Sequence, residues 1–256
     1  MFLYPRRKNL SVILFTSIFD TENSLSEITL KLSYIIRFLV DFRVSELWWV
    51  RDSKRKGIEK IIRDLVEYAL APPYAKRYIP IRPTLKKVGL LEPINIPAHV
   101  VINGGAEGEI RISVNGDIGL NTKKEKLCNK KYCLIIDSES GEIVSYPFYP
   151  YYTGFKLHFI DKKQFLMILN DKIESSNILI GSRIGVNIQT VSEKIKEIYE
   201  SKGLRVVIGP PKEGLAKYLN SFNGFLINFL PKQGVKDVRA EEALMASLTL
   251  LNYFLE

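Results

Sequence analysis

The sequence predicts an α/β fold with a parallel sheet, interrupted by a smaller all-β region. Three observations support this. Apolar runs of strand length alternate with segments of helical periodicity in the first and last thirds of the chain. A proline-rich stretch, 71–97, separates the first third from the middle of the chain. Short strand-like runs with glycine-containing turns then continue to residue 146, which is typical of a small β-barrel.

Net charge limits the class of partner. Lys and Arg number 37 against 28 for Asp and Glu, a formal charge of +9 over 256 residues. This balance favours a polyanionic partner such as nucleic acid, although solubility alone also explains it. The length is sufficient to bury a proper core in one large domain or two.

The N-terminal region has a basic start followed by the apolar run Leu10 to Phe19. This order imitates a signal peptide. No small-residue cleavage site comes after it, however, and the run is too short to cross a bilayer. We therefore expect a buried first strand and a cytoplasmic protein without a membrane partner.

The first helix has a recognisable start. Ser24 and Glu27 have the spacing of a capping box, and apolar residues then recur at helical spacing from Ile28 to Leu39. The pattern predicts a helix that ends near Phe42. A second strand is predicted over 46–50.

A basic cluster lies after the second predicted strand. Its side chains would neutralise phosphates and release counterions. A solvated surface is the alternative, because spacing does not show where the side chains point. The cluster consists of Arg51, Lys54, Arg55, Lys56, Lys60 and Arg63.

The prolines between residues 71 and 97 exclude a long helix or a central strand there, so we expect a crossover. Strand-like runs come next at 99–103, 108–114, 132–137 and 141–146, with turn signals such as Asn115-Gly116. These runs predict the small barrel.

Two groups in the all-β region are candidates for RNA contact. Aromatic residues at such density pack between domains more often than they stack on bases, so the lysines are the stronger candidates. The basic loop contains Lys123, Lys124, Lys126, Lys130 and Lys131, and the aromatic run contains Tyr146, Phe148, Tyr149, Tyr151 and Tyr152.

Cysteine and histidine are scarce, at two residues each. Cys128, Cys133, His99 and His158 lack the paired spacing of a zinc site, so we predict no metal. A disulfide between the two cysteines stays open.

In the last third of the chain, predicted strands alternate with predicted helices, which is typical of a parallel sheet. Strands are predicted at 177–181, 204–208 and 224–230, with helices at 189–201 and from Ala243 to Phe254. Ligands of α/β proteins bind beyond the carboxyl ends of parallel strands. The loops 181–185, 209–214 and 230–238 are therefore expected to form one pocket. Neither a G-x-G-x-x-G pattern nor a P-loop occurs, so the sequence does not indicate a nucleotide site that binds phosphates through a glycine-rich loop.

Several segments, in colinear order over nearly the whole chain, carry a family resemblance. The C-terminal segment PKQGVKDVRAEEALMASL resembles the knot motif of the SPOUT methyltransferases, in particular an archaeal and eukaryotic branch with a PGQGSRTIRTEEA-like loop. VILFTSIFDTENSLSEITLKLSYIIRFLVDFRVSEL resembles that branch's first strand and helix, and ALAPPYAKRYIPIRPTLKKVGLLEPINIPAHV its crossover. NILIGSRIG and RVVIGPPKEGLAKYL resemble its other two cofactor loops.

The resemblance implies a fold and an activity. The expected fold is a knotted parallel-sheet SPOUT domain over 1–85 and 164–256, with an inserted OB-like RNA-binding domain over 86–163. The expected activity is S-adenosylmethionine-dependent methylation of RNA by a homodimer, with ribosomal RNA as the favoured substrate and uridine N3 as an example of the acceptor atom.

The resemblance also implies site residues. Proton removal or charge stabilisation is expected of Arg37, Arg183, Arg239 or Glu241, and because an arginine cannot readily act as a base, the arginines are assigned charge stabilisation or positioning. The alternative for Arg37 is a surface arginine whose stem covers apolar neighbours. The expected cofactor-binding residues are Ile180, Gly181, Ile208, Gly209, Pro210, Gly214, Leu230, Pro231, Gln233, Gly234 and Val238. The expected RNA-binding residues are Arg51, Lys54, Arg55, Lys123, Lys124, Lys126, Lys130 and Lys131.

The chain departs from the branch in its loops. Val235, Asp237 and Ala240 replace hydroxyl residues, and the segment IGSRIG is one residue shorter and lacks a glutamate. Main-chain contacts with a cofactor survive such changes more easily than side-chain roles. The alternative function is a non-catalytic RNA-binding, ribosome-assembly protein on the same scaffold.

Overall fold

The computed structural model describes residues 4–101, 107–120, 128–211 and 214–256. These residues form two compact units. The larger unit contains Arg6–Arg63, Gly89–Glu92 and Gly154–Glu256. The smaller unit contains Asp64–Val88 and Pro93–Thr153, together with the N-terminal residues up to Pro5.

The helices and strands have the following bounds. The strands are β1 (Leu10–Phe15), β2 (Glu46–Arg51), β3 (Ile110–Ile112), β4 (Tyr132–Asp137), β5 (Glu142–Tyr146), β6 (Lys156–Asp161), β7 (Ile178–Asn187), β8 (Leu204–Ile208) and β9 (Phe225–Asn228). The α-helices are α1 (Leu25–Asp41), α2 (Ile58–Leu70), α3 (Lys162–Asn170), α4 (Ser192–Lys202) and α5 (Ala240–Leu255).

The larger unit is built on a six-stranded sheet with the order β6-β2-β1-β8-β7-β9. Every neighbouring pair in it is parallel. The central strand β1 is buried along its whole length, as an apolar strand covered on both faces must be. The predicted parallel-sheet α/β fold is confirmed.

Helix α1 begins where its sequence predicts. Ser24 Oγ accepts a hydrogen bond from Glu27 N at 3.2 Å, and Glu27 Oε2 accepts one from Ser24 N at 3.3 Å. This capping box satisfies two donors that a helix start otherwise leaves without partners. Ile28, Leu32 and Leu39 are buried, so the apolar stripe faces the core.

One strand of the large sheet lies where the sequence predicts the inserted domain. β6 pairs with β2 from Lys156 to Asp161, in the larger unit. The smaller unit contains Asp64–Val88 and Pro93–Thr153, so β6 follows it in the chain. The run Lys156–Asp161 has the length of any short strand, and only its pairing with a strand more than a hundred residues earlier assigns it to this sheet.

Strand β7 is longer than predicted and contains a bulge. Residues 179–181 pair with β9, residues 182–185 leave the ladder, and Val186 and Asn187 pair with it again. The segment predicted as the loop 181–185 is thus a bulge within a strand. Gly185 is required there, because a Cβ would lie 2.6 Å from Ile227 N and from the carbonyl carbon of Leu226.

The last helix, α5, packs against α1 with Leu244, Leu248 and Leu251 buried. Its C-terminal end is held by Arg6, whose side chain is fully buried. Arg6 Nη1 donates to Glu256 Oε1 at 2.8 Å, and Arg6 Nε donates to Phe42 O at 2.8 Å. A buried arginine with carboxylate and carbonyl acceptors anchors this helix end beside the end of α1.

The smaller unit contains a three-stranded antiparallel sheet, β3-β4-β5. Its inner face packs on a small core with Ile118, Cys133 and Ile135. The predicted strand 99–103 is not found over its described residues, since His99 ends a 3-10 turn that begins at Pro97, a residue unable to donate to a ladder. Residues 102 and 103 lie outside the described residues.

The proline-rich stretch forms only short 3-10 turns, as its composition predicts. Cys128 and Cys133 form a disulfide, with Cα atoms 6.3 Å apart and both side chains buried.

Among the helices of the described ranges, none combines the length and the apolar composition needed to span a bilayer.

Candidate active site

The carboxyl ends of β8, β7 and β9 lie side by side. Gly181 is in register with Ile208 of β8 and with Ile227 of β9, so the three strands end at one edge. The three segments expected to bind the cofactor start from this edge: the bulge after Gly181, the turn after Ile208 and the loop after β9. This adjacency is what the parallel-strand pattern predicts.

Side chains connect the bulge to the last loop. Asn228 Nδ2 donates to Arg183 O at 3.0 Å, and Arg183 Nη1 donates to Lys236 O at 3.1 Å. Gln233 Nε2 also donates to Lys236 O and to Val235 O, at 3.1 and 2.9 Å. These bonds hold the loop 230–238 against the bulge in a defined shape. Asn228 is not among the site residues that the sequence predicts. A polar residue at the end of an apolar strand is the signal that could have identified it.

The strand ends provide an apolar floor beside exposed main chain. A Cβ on Gly181 would lie 3.3 Å from Ile208 Cδ1 and 3.7 Å from Phe229 Cδ2, so this level of the edge is tightly packed. Gly214 and Gly234 instead have open space where a Cβ would lie. The chain therefore leaves open space at Gly214 and Gly234, on two of the segments that follow this apolar edge.

The predicted cofactor residues divide into two groups by burial. The buried group forms the floor, and the others are half-buried or exposed around it. Ile180 and Ile208 are buried, Gly181, Gly209, Pro210, Leu230, Gln233 and Val238 are half-buried, and Gly214, Pro231 and Gly234 are exposed.

The start of α5 comes directly after the last loop. Arg239 N donates to Glu242 Oε2 at 3.0 Å, which satisfies one donor at the helix start. Glu241 Oε2 lies 3.7 Å from Lys31 Nζ of α1, and both side chains are largely buried. Lys31 Nζ also donates to Ile18 O and to Glu22 Oε1, at 2.9 and 2.8 Å. Lys31, which the sequence did not indicate, therefore joins α5 to the segment after β1.

A groove of about 510 Å³ runs along α1 and α5. Its walls are mostly apolar, with charged residues at one end. The lining residues are Tyr34, Phe38, Arg239, Glu241, Glu242, Met245 and Ala246. Two of the three predicted catalytic residues, Arg239 and Glu241, thus lie on one surface.

The third predicted catalytic residue, Arg37, has a different environment. Its Nη2 lies 4.0 Å from Asp41 Oδ1, one helical turn further along α1. The side chain is 37% exposed. Arg37 is six residues beyond Lys31, about 9 Å along the helix axis. Its catalytic role stays a prediction.

Polar groups also collect where β1 and β2 end. Asp52 accepts hydrogen bonds from Ser17 N at 2.8 Å and from Ser17 Oγ at 2.7 Å. Asp52 N in turn donates to Thr16 Oγ1 at 3.0 Å. This network fixes the loops after the two strands at the same carboxyl edge as the predicted cofactor segments.

The predicted phosphate contacts of the larger unit have partners within the chain. Arg51 Nε donates to Glu59 Oε2 at 2.7 Å, and Arg51 Nη1 donates to Asp161 Oδ1 at 3.2 Å. The Glu59 hydrogen bond is the main cause that raises the pKa of Arg51. Arg55 donates to Glu22 O, whereas Lys54 is exposed. These arginines are engaged in the fold, and Lys54 is the better placed for RNA.

The lysines of the smaller unit adjoin a second groove, of about 390 Å³. Lys130 and Lys131 are exposed and line it together with Ser113, Asn115, Gly116, Cys128 and Asn129. Lys123, Lys124 and Lys126 lie outside the described residues. Across the described part of the chain, His, Cys, Asp and Glu side chains do not come together in threes as a metal site would need.

Comparisons with known proteins give one matching family and two similar proteins. A family model described as "Putative RNA methyltransferase" matches residues 9–251. An uncharacterized protein of Haloarcula marismortui is 24% identical over 284 residues, covering 94% of this chain and 98% of that protein. An RNA 2'-O ribose methyltransferase structure matches 98% of this chain with a TM-score of 0.40 and 9% identity, and the chain spans 57% of that longer one. Because the family model covers nearly the whole chain, including all three carboxyl-edge segments, this protein belongs to that family of RNA methyltransferases.

Proposed function

We propose that this protein transfers a methyl group from S-adenosylmethionine to ribosomal RNA, with uridine N3 as the acceptor atom. The observation that carries the proposal is the adjacency of three glycine-bearing segments at the carboxyl edge of β8, β7 and β9. The proposal includes three features implied by the sequence resemblance, namely a trefoil knot, an OB-like inserted domain that ends before β6, and a homodimer, together with the cytoplasmic location expected from the sequence.

The residues of the carboxyl edge would hold the cofactor. Ile180 and Ile208 offer the apolar floor, and the main chain of 209–210 and 230–238 offers hydrogen-bonding groups beside it. When bound, the cofactor supplies a methyl group on a positively charged sulfur. The protein's part is to align the acceptor, to exclude water and to bind the charge that develops on the acceptor.

The groove between α1 and α5 would carry the acceptor side of the reaction. A uridine ring that loses its N3 proton becomes negative, and the guanidinium of Arg239 at the groove can stabilise that charge. Glu241, held by Lys31, keeps the start of α5 in place. Arg37 pairs with Asp41 and does not line the groove that contains Arg239 and Glu241 of the same chain. In the proposed dimer, Arg37 would instead act at the groove of the partner subunit.

Cofactor titration and methyl transfer test the proposal. We expect heat of binding with S-adenosylmethionine in calorimetry, tritium transfer from labelled cofactor into ribosomal RNA, and 3-methyluridine among the digested nucleosides. Transfer without 3-methyluridine would reject the acceptor atom alone. Absence of both heat and transfer would reject the enzyme.

One observation favours the alternative function. The segment IGSRIG, which is shorter than in the related branch, belongs to a bulged strand instead of an open loop. A chain that binds ribosomal RNA tightly but gives no cofactor heat would be a non-catalytic, ribosome-assembly protein on this scaffold.

A further inference from the structure

Six aromatic side chains of the smaller unit form what we call the aromatic row. The Tyr132 and Tyr149 rings have centroids 5.9 Å apart, those of Tyr149 and Tyr151 are 5.5 Å apart, and those of Tyr151 and Tyr4 are 5.7 Å apart. Phe148 and Tyr146 form a further pair at 5.4 Å. Tyr146 is the register partner of Tyr132 on the adjacent strand, which joins the two groups.

Two members of the aromatic row, Tyr132 and Tyr146, lie on the outer face of the three-stranded sheet. Side chains alternate between the faces of a strand, and Cys133 and Ile135 point into the small core. Tyr132, one residue earlier, therefore points to the opposite face, and Tyr146 shares that face through its register with Tyr132. The rings are not needed to fill the core of the smaller unit.

The rings keep exposed surface in the folded chain. Phe148 is 55% exposed and Tyr4 is 61% exposed, while Tyr132, Tyr146, Tyr149 and Tyr151 are half-buried. Burial raises the pKa of Tyr149 to about 12, and the charge of Glu109 adds to this increase. The exposed faces of the row have the ring area that base stacking requires.

Positive charge lies beside the row. Lys131 Nζ is 5.2 Å from the centroid of the Tyr132 ring, and Lys131 also lines the 390 Å³ groove with Lys130. Proteins that bind single-stranded nucleic acid combine aromatic rings, on which bases stack, with cations that contact the phosphates. Lys131, beside the Tyr132 end of the row, gives this combination here.

We propose that the aromatic row binds unpaired bases of the RNA substrate, with Lys130 and Lys131 contacting the phosphates between them. This inference rests on the proposed function, because it takes RNA as the substrate, and it adds that the bound RNA is single-stranded. Bases inside a duplex are stacked on one another and cannot reach the rings. The sequence pattern favoured interdomain packing for these aromatics, whereas their exposure in the folded chain favours stacking.

The test uses the full-length protein and fluorescence anisotropy with two labelled RNAs of equal length, an oligouridine and a perfectly paired hairpin. Phe148→Leu and Tyr132→Leu remove a ring and keep apolar bulk, and Tyr132→Phe keeps the ring. Tyr78→Leu is the matched control, because Tyr78 is a 40% exposed aromatic of the same unit outside the row.

We expect the oligouridine to bind the wild type more tightly than the hairpin. Each Leu variant should lose at least about fivefold in affinity for the oligouridine, the lower limit of one lost stacking contact, while Tyr132→Phe and Tyr78→Leu should not. Lys131→Gln should reduce the slope of log affinity against log salt by about 1, whereas the Leu variants should keep it.

Three outcomes would overturn the inference: equal binding of both RNAs, Leu variants that bind like the wild type, or no RNA binding at all, which would leave the row as a protein contact. Cofactor titration on the same samples separates this result from the enzyme. Heat of cofactor binding with unchanged Leu variants would reject only the row, and ring-dependent RNA binding without cofactor heat would reject only the enzyme.

Discussion

At the residue scale, Lys31 shows what one side chain can connect. It donates to the main chain after β1 and to Glu22, and it lies 3.7 Å from Glu241 at the start of α5. The sequence pattern of α1 did not indicate whether the Lys31 side chain faces the core or the solvent. The partners are nine and two hundred and ten residues away, and no local pattern relates them.

We expect Lys31→Met to lower the free energy of unfolding by about 2 kcal/mol, because it leaves two partly buried carboxylates without a cation. Urea unfolding measures this. In the double variant with Glu241→Gln the additional loss should be smaller, since one of the carboxylates is then neutral. Strictly additive losses would contradict a coupling between the two side chains.

Arg183 shapes the loop expected to hold the cofactor. Its hydrogen bond to Lys236 O joins the bulge of β7 to that loop. Arg183→Ala should weaken binding of S-adenosylmethionine about fivefold, the effect of one exposed charged hydrogen bond, as measured by calorimetry. Lys236→Ala is the matched control, since it keeps the accepting carbonyl. Equal losses in both variants would show that the side-chain bond is unimportant.

Gly185 is a residue that the fold requires to lack a side chain. A Cβ there would lie 2.6 Å from the β9 main chain. Gly185→Ala should lower the free energy of unfolding by at least about 2 kcal/mol, because the strands must separate. Gly89→Ala is the control, as a Cβ at Gly89 meets nothing within 4 Å. A stable Gly185→Ala variant would mean that the bulge adapts without cost.

At the element scale, short motifs determine where elements start, and distant partners determine where they belong. The capping box set the start of α1, and Gly203, with φ of 77°, caps the C-terminal end of α4. β6 was not predicted as a strand, because nothing local in its six residues shows that they pair with β2 in the large sheet. β7 was predicted too short, because glycine and arginine in its middle resemble a loop.

His99 joins two elements of the smaller unit and makes it sensitive to acid. Its Nε2 lies 3.2 Å from Leu70 O, at the end of α2, and burial lowers the pKa of His99. Above the unfolded pKa of about 6.5 the residue is neutral in both states and has no effect. Below it, the unfolded chain binds a proton that the folded chain resists, so stability falls as pH falls.

We therefore expect the Tm of the wild type to fall between about pH 6.5 and pH 5. His99→Gln keeps a donor for the Leu70 carbonyl but cannot titrate, so this variant should lose part of that slope. Identical slopes for the wild type and His99→Gln would refute the assignment.

At the scale of the whole molecule, the helices α1 and α5 expose apolar surface on the larger unit. Leu30, Tyr34, Met245 and Tyr253 are 40%, 50%, 38% and 80% exposed. An apolar area of this kind beside a groove is typical of an interface. The proposed homodimer would cover it with the same surface of a second copy.

We expect light scattering to give twice the chain mass of 29.3 kDa for the wild type. Tyr34→Lys should shift the protein to the monomer, because it places like charges across a two-fold interface, whereas Phe148→Lys, in the smaller unit, should leave the dimer intact. A monomeric wild type, or a dimer unaffected by Tyr34→Lys, would reject this interface.

Local patterns in the chain were enough to establish the parallel α/β class, the bounds of α1 and the set of segments that meet at the carboxyl edge. These depend on periodicity, capping and turn residues, which act over a few positions. The folded structure was needed to show that β6 joins the large sheet, that β7 bulges at Gly185, that Arg51 is neutralised by Glu59 and Asp161, and that Lys31 reaches Glu241. Apart from the contact between Arg51 and Glu59, which are eight residues apart, these features depend on pairing between residues far apart in the chain, for which strand length and charge alone leave many equivalent partners.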